Sequence, residues 1–218
     1  MLQALGWAAL GTGFTFLMTT LGAAVVFFFV EEPRPQFQRT MLGFAAGVMT
    51  AASVWSLLLP AIEQSADFGV PGWLPAAAGL LLGVGFLSAL DAVLPHLRRA
   101  RDMELSRRQS TLLMAAITLH NVPEGMAVGL AFALAAEGEG MAGAAALALG
   151  IGIQNLPEGA AISLPLRQEG SSRGRAFLLG TLSGSVEPIF GILVVLVAAG
   201  VRPLMPWLLS FAAGAMLY

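Results

Sequence analysis

The sequence predicts an all-α integral membrane protein, and three observations carry that prediction. Of its 218 residues, 57% are hydrophobic and only 11% charged, whereas a soluble domain keeps about a quarter of its residues charged. Mean hydropathy is +0.80. Seven apolar stretches recur, at about 4–30, 40–62, 72–96, 110–136, 141–166, 175–199 and 204–218, and roughly 20 such residues cross a bilayer as a helix. The chain therefore reads as a single transmembrane domain over 1–218.

The elements follow in order. Span one has no basic segment ahead of it and outruns the ~7–15 apolar residues of a signal peptide, so it reads as a retained helix. Charges and prolines at 31–35 (EEPRP) close it. Span two carries Pro60 and ends near Glu63; the breakers at 64–72 follow. Span three ends on Asp91 and His96, ahead of the polar run LRRARDMELSRRQ at 97–109, which reads as a cytoplasmic connector. Spans four and five are separated only by Glu137-Gly138-Glu139-Gly140, and spans five and six by the arginine-rich 167–175 segment. Span seven stops at Tyr218 without a polar flank, so an eighth span is expected beyond it.

Charge placement gives an orientation. All 11 basic side chains are arginines. Arg34, Arg39, Arg98, Arg99, Arg101, Arg107, Arg108, Arg167, Arg173 and Arg175 fall in the first, third and fifth loops, and Arg202 alone falls in the others. The positive-inside rule then places the odd loops in the cytoplasm and the N-terminus outside. No basic tract points to nucleic acid, and the absence of cysteine excludes disulfides, thiolate sites and thiol catalysis.

Two repeats are visible. HNVPEGMAVGLAF (120–132) and QNLPEGAAISLPL (154–166) share Asn-x-Pro-Glu-Gly at an offset of 34 residues. LGFAAGVM (42–49) echoes LSFAAGAM (209–216) in spans two and seven, which run in opposite directions in this topology. Inverted repeats are a common transporter device, with the substrate site near the bilayer midplane.

Ionisable groups deep in a span cost about 2.5–3.5 kcal/mol each on insertion scales and mark function by default. Here they are His120, Glu124, Glu158 and Glu187, beside Asn121, Gln154 and Asn155. His120 and Glu124 are four apart and share a helix face, as do Gln154 and Glu158. Pro123 and Pro157 free the carbonyls of Leu119 and Ile153 and are expected to open or kink their helices. Gly125 and Gly159 allow close helix approach. Three neighbouring carboxylates require compensation. A divalent cation supplies it, and a histidine among oxygens suits zinc or iron(II) better than calcium.

The plainer readings are a satisfied interhelical hydrogen bond for His120 and simple kinks for the prolines; the duplicated motif together with Glu187 tells against both. Met49, Ser56, Glu63, Asp91 and His96 are candidate pathway residues. Core packing competes for Met49, and interfacial pairing with Arg98 or Arg99 competes for Asp91 and His96.

HNVPEG (120–125), QNLPEG (154–159) and SGSVEPIFG (183–191), with MLGFAAGVMTAASVWSLLLP (41–60) and FAAGAM (211–216), resemble the ZIP family of zinc- and iron-regulated transporters, and within it the bacterial GufA-like branch. The resemblance implies an eight-span bundle with an inverted three-plus-two-plus-three repeat, seven of those spans being present here. It also implies a homodimer in the cell membrane and elevator-like alternating access that moves metal into the cytoplasm. The ion would be Zn2+ first, with Cd2+, Fe2+ and Mn2+ as further substrates.

The resemblance further implies two metal positions. His120, Glu124, Gln154 and Glu158 would make the first; Asn121, Asn155 and Glu187 would make the second, with Glu124 and Glu158 bridging. Many members carry His where Gln154 stands, and some carry Asp where Asn155 stands. Two other classes are an intramembrane zinc hydrolase, which lacks HExxH and a spare general base, and a channel-like or structural membrane protein.

Overall fold

The structure is a computed structural model that describes residues 1–28, 35–97, 105–138, 140–200 and 202–218. Among these the chain is helical: α1 (Leu2–Ala24), α2 (Pro35–Ala51), α3 (Leu59–Ser65), α4 (Trp73–Leu97), α5 (Leu105–Ala135), α6 (Met141–Gln168), α7 (Arg173–Gly184), α8 (Val186–Gly200) and α9 (Met205–Leu217). Four stretches are long and apolar enough to cross a membrane: Leu2–Phe27, Ala46–Phe68, Trp73–Leu90 and Arg173–Val197. α5 and α6 are longer still, at 31 and 28 residues, but the polar repeat lowers their hydropathy. The product is a multi-pass helical bundle, as expected for an apolar chain that must satisfy its own backbone in lipid. The expected loop residues 31–34 and 98–104, and the end of span one at 29–30, lie outside the described residues.

The helices differ from the expected spans in where they are irregular. α5 and α6 run through Pro123 and Pro157 as continuous helices. Span two instead contains a π-helical stretch, Ala52–Leu58, just ahead of Pro60. Pro60 has no N–H for the Ser56 carbonyl and its ring crowds that group, so the turn widens, and the Leu59 N–H reaches back to Val54. Span six is broken at Ser185 into α7 and α8. Pro188 then falls in the first turn of a new helix, where a missing N–H costs nothing. Ser172 starts α7 by accepting from the Arg175 N–H at 3.3 Å, and Gly140 (φ +76) and Gly170 (φ +89) make the turns that no side-chain-bearing residue adopts readily.

Packing divides the helices into two groups. α1, α5, α6, α7 and α8 pack on one another, most extensively α1 on α6 and α5 on α8. α9 packs on α4, α3 and the π-helical stretch to form the second group. An apolar cluster joins them, with Ala127, Leu130, Leu147 and Ile151 from the first group and Leu57, Leu209 and Met216 from the second. The echoed segments in spans two and seven differ in burial: Leu209, Ala212, Ala213 and Met216 are buried, whereas Gly43 and Gly47 have open space beside them.

Candidate metal site

Every deep polar residue of the sequence repeat sits in the first group, where α5, α6 and α8 meet against α1. The close approach is made by glycine. A Cβ on Gly125 would come within 2.6 Å of the Glu187 Cα on α8, and one on Gly159 would overlap the Thr19 carbonyl on α1. Both neighbours are backbone, so the helices would have to move apart. Gly125→Ala is expected to cost about 1–3 kcal/mol, lowering the thermal midpoint in detergent on the order of 5 °C. Gly13→Ala, with nothing within 4 Å, should leave it unchanged. Equal melting of the two variants would show that the α5–α8 contact is not tight.

That approach buries a polar cluster. Asn121, Glu124, Gln154, Asn155 and Glu187 are all fully buried. Gln154 Nε2 donates to Glu124 Oε1 at 2.5 Å. Asn155 Nδ2 donates to both oxygens of Glu187 at 2.9 Å and lies 3.3 Å from the Thr15 carbonyl. Asn121 Nδ2 donates to the Ser183 carbonyl at 3.1 Å, tying α5 to the end of α7. His120 Nε2 stands 3.9 Å from Glu124 Oε1, with the histidine 23% exposed and the glutamate not at all.

The oxygens left over are informative. Seven buried side-chain atoms among the described residues have no hydrogen-bond partner, and five belong to this cluster: Asn121 Oδ1, Glu124 Oε2, Gln154 Oε1, Asn155 Oδ1 and Glu158 Oε2. The other two are the Ser53 and Thr181 hydroxyls. Native proteins leave few buried polar atoms unpaired, and all five here are acceptors. An acceptor-rich pocket is what a cation satisfies. Among the described residues, no three acidic or histidine side chains are yet gathered closely enough to hold an ion. The NH2 groups of Gln154 and Asn155 instead occupy the carboxylates of Glu124 and Glu187.

The remaining sequence candidates divide. Ser56 and Glu63 line a cavity of about 1050 Å³ at one end of the bundle, together with Gln64, Asp67 and Glu137. Met49 is half-buried on α2 and is not part of the cavity wall. The side chains of Asp91 and His96 lie outside the described residues. The cavity reaches Ala131 and Ala144. Buried apolar residues Ala127, Val128, Leu130, Leu147, Ala148 and Ile151 occupy the turns between it and the cluster.

Sequence reasoning passed over the hydroxyls of α1. Thr12, Thr15 and Thr19 form a buried stripe, and the Thr19 hydroxyl lies 3.2 Å from Glu187 Oε1. The three-and-four spacing of these threonines was the available signal.

Known proteins with similar sequences identify the family. The family model described as ZIP Zinc transporter matches residues 96–218, a stretch that holds all seven residues of the cluster. Zinc transporter ZIP11 of Homo sapiens is 37% identical over 97% of this chain and 86% of its own length. Zinc transporter GufA of Myxococcus xanthus is 39% identical over 92% of this chain and 80% of its own length. Zinc transporter ZIPB of Bordetella bronchiseptica is 38% identical over 98% of this chain and 70% of its own length. These relatives are named as transporters and not as enzymes, which sets the hydrolase reading aside. With the motif, the bundle and the relatives in agreement, the chain belongs to the ZIP zinc transporter family.

Proposed function

We propose that the chain carries zinc into the cytoplasm by alternating access, through a two-metal intramembrane site made by His120, Asn121, Glu124, Gln154, Asn155, Glu158 and Glu187. The single observation that carries this reading is the set of five unpartnered buried oxygens on α5 and α6. In the empty carrier, the amide NH2 groups partly compensate the carboxylates. An arriving dication displaces them, and a rotation of each amide about its terminal bond presents Gln154 Oε1 or Asn155 Oδ1 in place of the NH2 group.

The ligand chemistry of one imidazole among oxygens extends the reading to Cd2+, Fe2+ and Mn2+ as competing substrates. The acid-lined cavity is the entrance: Glu63, Asp67 and Glu137 at its wall attract cations. The apolar layer beyond it closes that side. The division into two packing groups supports an elevator, with α1 and α5–α8 carrying the ion past a scaffold of α3, α4 and α9. The family resemblance favours a homodimer in the cell membrane.

Zinc uptake into proteoliposomes containing the full chain tests the function. Uptake that saturates with zinc supports it; entry no faster than in protein-free vesicles overturns it. Direction rests on the arginine split and has its own test. Because the chain has no cysteine, single variants can be labelled without background. Glu137→Cys is expected to react with an impermeant thiol reagent in intact cells, and Ala100→Cys only after permeabilisation. The reverse pattern would turn the chain over in the membrane and make it an exporter.

A further inference from the structure

Three groups around Glu187 share hydrogen bonds with it and with one another. The Thr19 hydroxyl lies 3.2 Å from Glu187 Oε1 and 3.3 Å from the Thr15 carbonyl. The Asn155 NH2 group addresses the same two acceptors, at 2.9 Å and 3.3 Å. Asn155 also reaches Glu187 Oε2 at 2.9 Å, so its two hydrogens face three acceptors. Thr19 has one, and must divide it or choose.

The position of Thr19 is fixed by its surroundings. Its carbonyl lies where a Cβ on Gly159 would fall, and its side chain packs within 3.0 Å of where a Cβ on Gly184 would be. α1 is thus clamped between α6 and α7, with the hydroxyl at the seam.

We propose that Thr19 is the positioning residue of Glu187: when an ion displaces the Asn155 amide from the carboxylate, the Thr19 hydroxyl gives its hydrogen to Glu187 Oε1 and holds that oxygen toward the metal. The inference rests on the reading of Glu187 as a metal-contacting residue. The physical reason is the difference between the two states. Without an ion, Asn155 donates to both oxygens of Glu187 and the Thr19 hydrogen is divided between Oε1 and the Thr15 carbonyl, so loss of the hydroxyl costs little. With the ion bound and the amide turned away, the hydroxyl is among the donors that remain, and its loss costs more. α1 thereby contributes to metal affinity without supplying a ligand.

The test is zinc titration calorimetry on the purified full chain, with uptake into proteoliposomes beside it. Thr19→Val keeps the shape and removes the hydroxyl. It is expected to raise the zinc Kd and the half-saturating concentration about fivefold, the scale of one ordinary net hydrogen bond. Maximal uptake should stay within about twofold of wild type, so the effect falls on affinity and not on turnover. Thr19→Ser retains the donor and should recover most of the affinity. In a Glu187→Gln background, Thr19→Val should add nothing.

Wild-type affinity in Thr19→Val overturns the proposal. So does Thr19→Ser as weak as Thr19→Val, or an undiminished Thr19→Val effect in the Glu187→Gln background. If Glu187→Gln itself binds zinc like wild type, the fault lies in the metal site as assigned at Glu187. If it weakens binding while Thr19→Val does not, only the positioning role falls.

Discussion

Alanine at Glu124 or at Glu158 is expected to abolish high-affinity zinc binding and, with it, uptake. In the proposed site both carboxylates bridge the two positions, so either change would remove a charged oxygen from each ion at once. Removing one partner of a buried charge pairing costs about 3–5 kcal/mol, which is two or more orders of magnitude in affinity. Folding should be affected far less. Both glutamates have a buried Oε2 without a hydrogen-bond partner. Losing one therefore removes a costly unpaired acceptor; Glu124→Ala additionally leaves Gln154 Nε2 without its acceptor. Titration calorimetry, checked by thermal unfolding of the same samples, separates the two effects. Asn155→Ala should weaken binding less, because Asn155 supplies only an amide oxygen. Wild-type binding in both glutamate variants would end the shared-site reading.

The relation between sequence and structure is uneven here, and the reasons are physical. Helix existence was legible because roughly 20 apolar residues in lipid have no alternative to intrahelical hydrogen bonding. The expected spans at 72–96, 110–136, 141–166 and 204–218 accordingly fall within a few residues of α4, α5, α6 and α9. The polar cluster was legible for the opposite reason: Glu124, Glu158 and Glu187 are too costly at depth to be incidental, and the repeat placed the first two in register.

What the sequence hid is how near-featureless helices choose neighbours. A helix apolar on all sides has no stripe to aim at a partner, so the division into two packing groups could not be read from periodicity. The same applies to α1. Its threonines donate to their own backbone, Thr12 to Ala8 at 2.7 Å and Thr15 to Thr12 at 3.0 Å, as hydroxyls in a span ordinarily do. Nothing local marks Thr19 as also facing Glu187, 168 residues away. The irregularities were not legible. Openings were expected at Pro123 and Pro157, which sit in continuous helices, and none was read from Pro60 or Pro188, beside which the spans are irregular. Which prolines break a span is decided by the packing around the freed carbonyl.

Gln154→His is the substitution expected to change selectivity most. Gln154 is fully buried, one turn before Glu158, and its Oε1 has no partner. As a ligand it would supply a weakly donating amide oxygen, leaving His120 as the only nitrogen at the first position. An imidazole at 154 supplies a second, and nitrogen donors favour zinc over manganese, which prefers carboxylate, carbonyl and water. The zinc-over-manganese preference should rise at least about tenfold, or 1.4 kcal/mol. The same tightening acts against release, so the maximal uptake rate should fall while the half-saturating zinc concentration drops. A histidine can also retain the contact that Gln154 makes with Glu124, because one of its ring nitrogens donates in the neutral form. The empty site is therefore expected to survive the change, and any loss of rate belongs to ion release. Competition uptake of zinc against manganese, wild type beside variant, reads both quantities. A variant with unchanged preference would show that the side chain at 154 does not touch the ion, leaving Gln154 as a hydrogen-bond donor to Glu124 and nothing more.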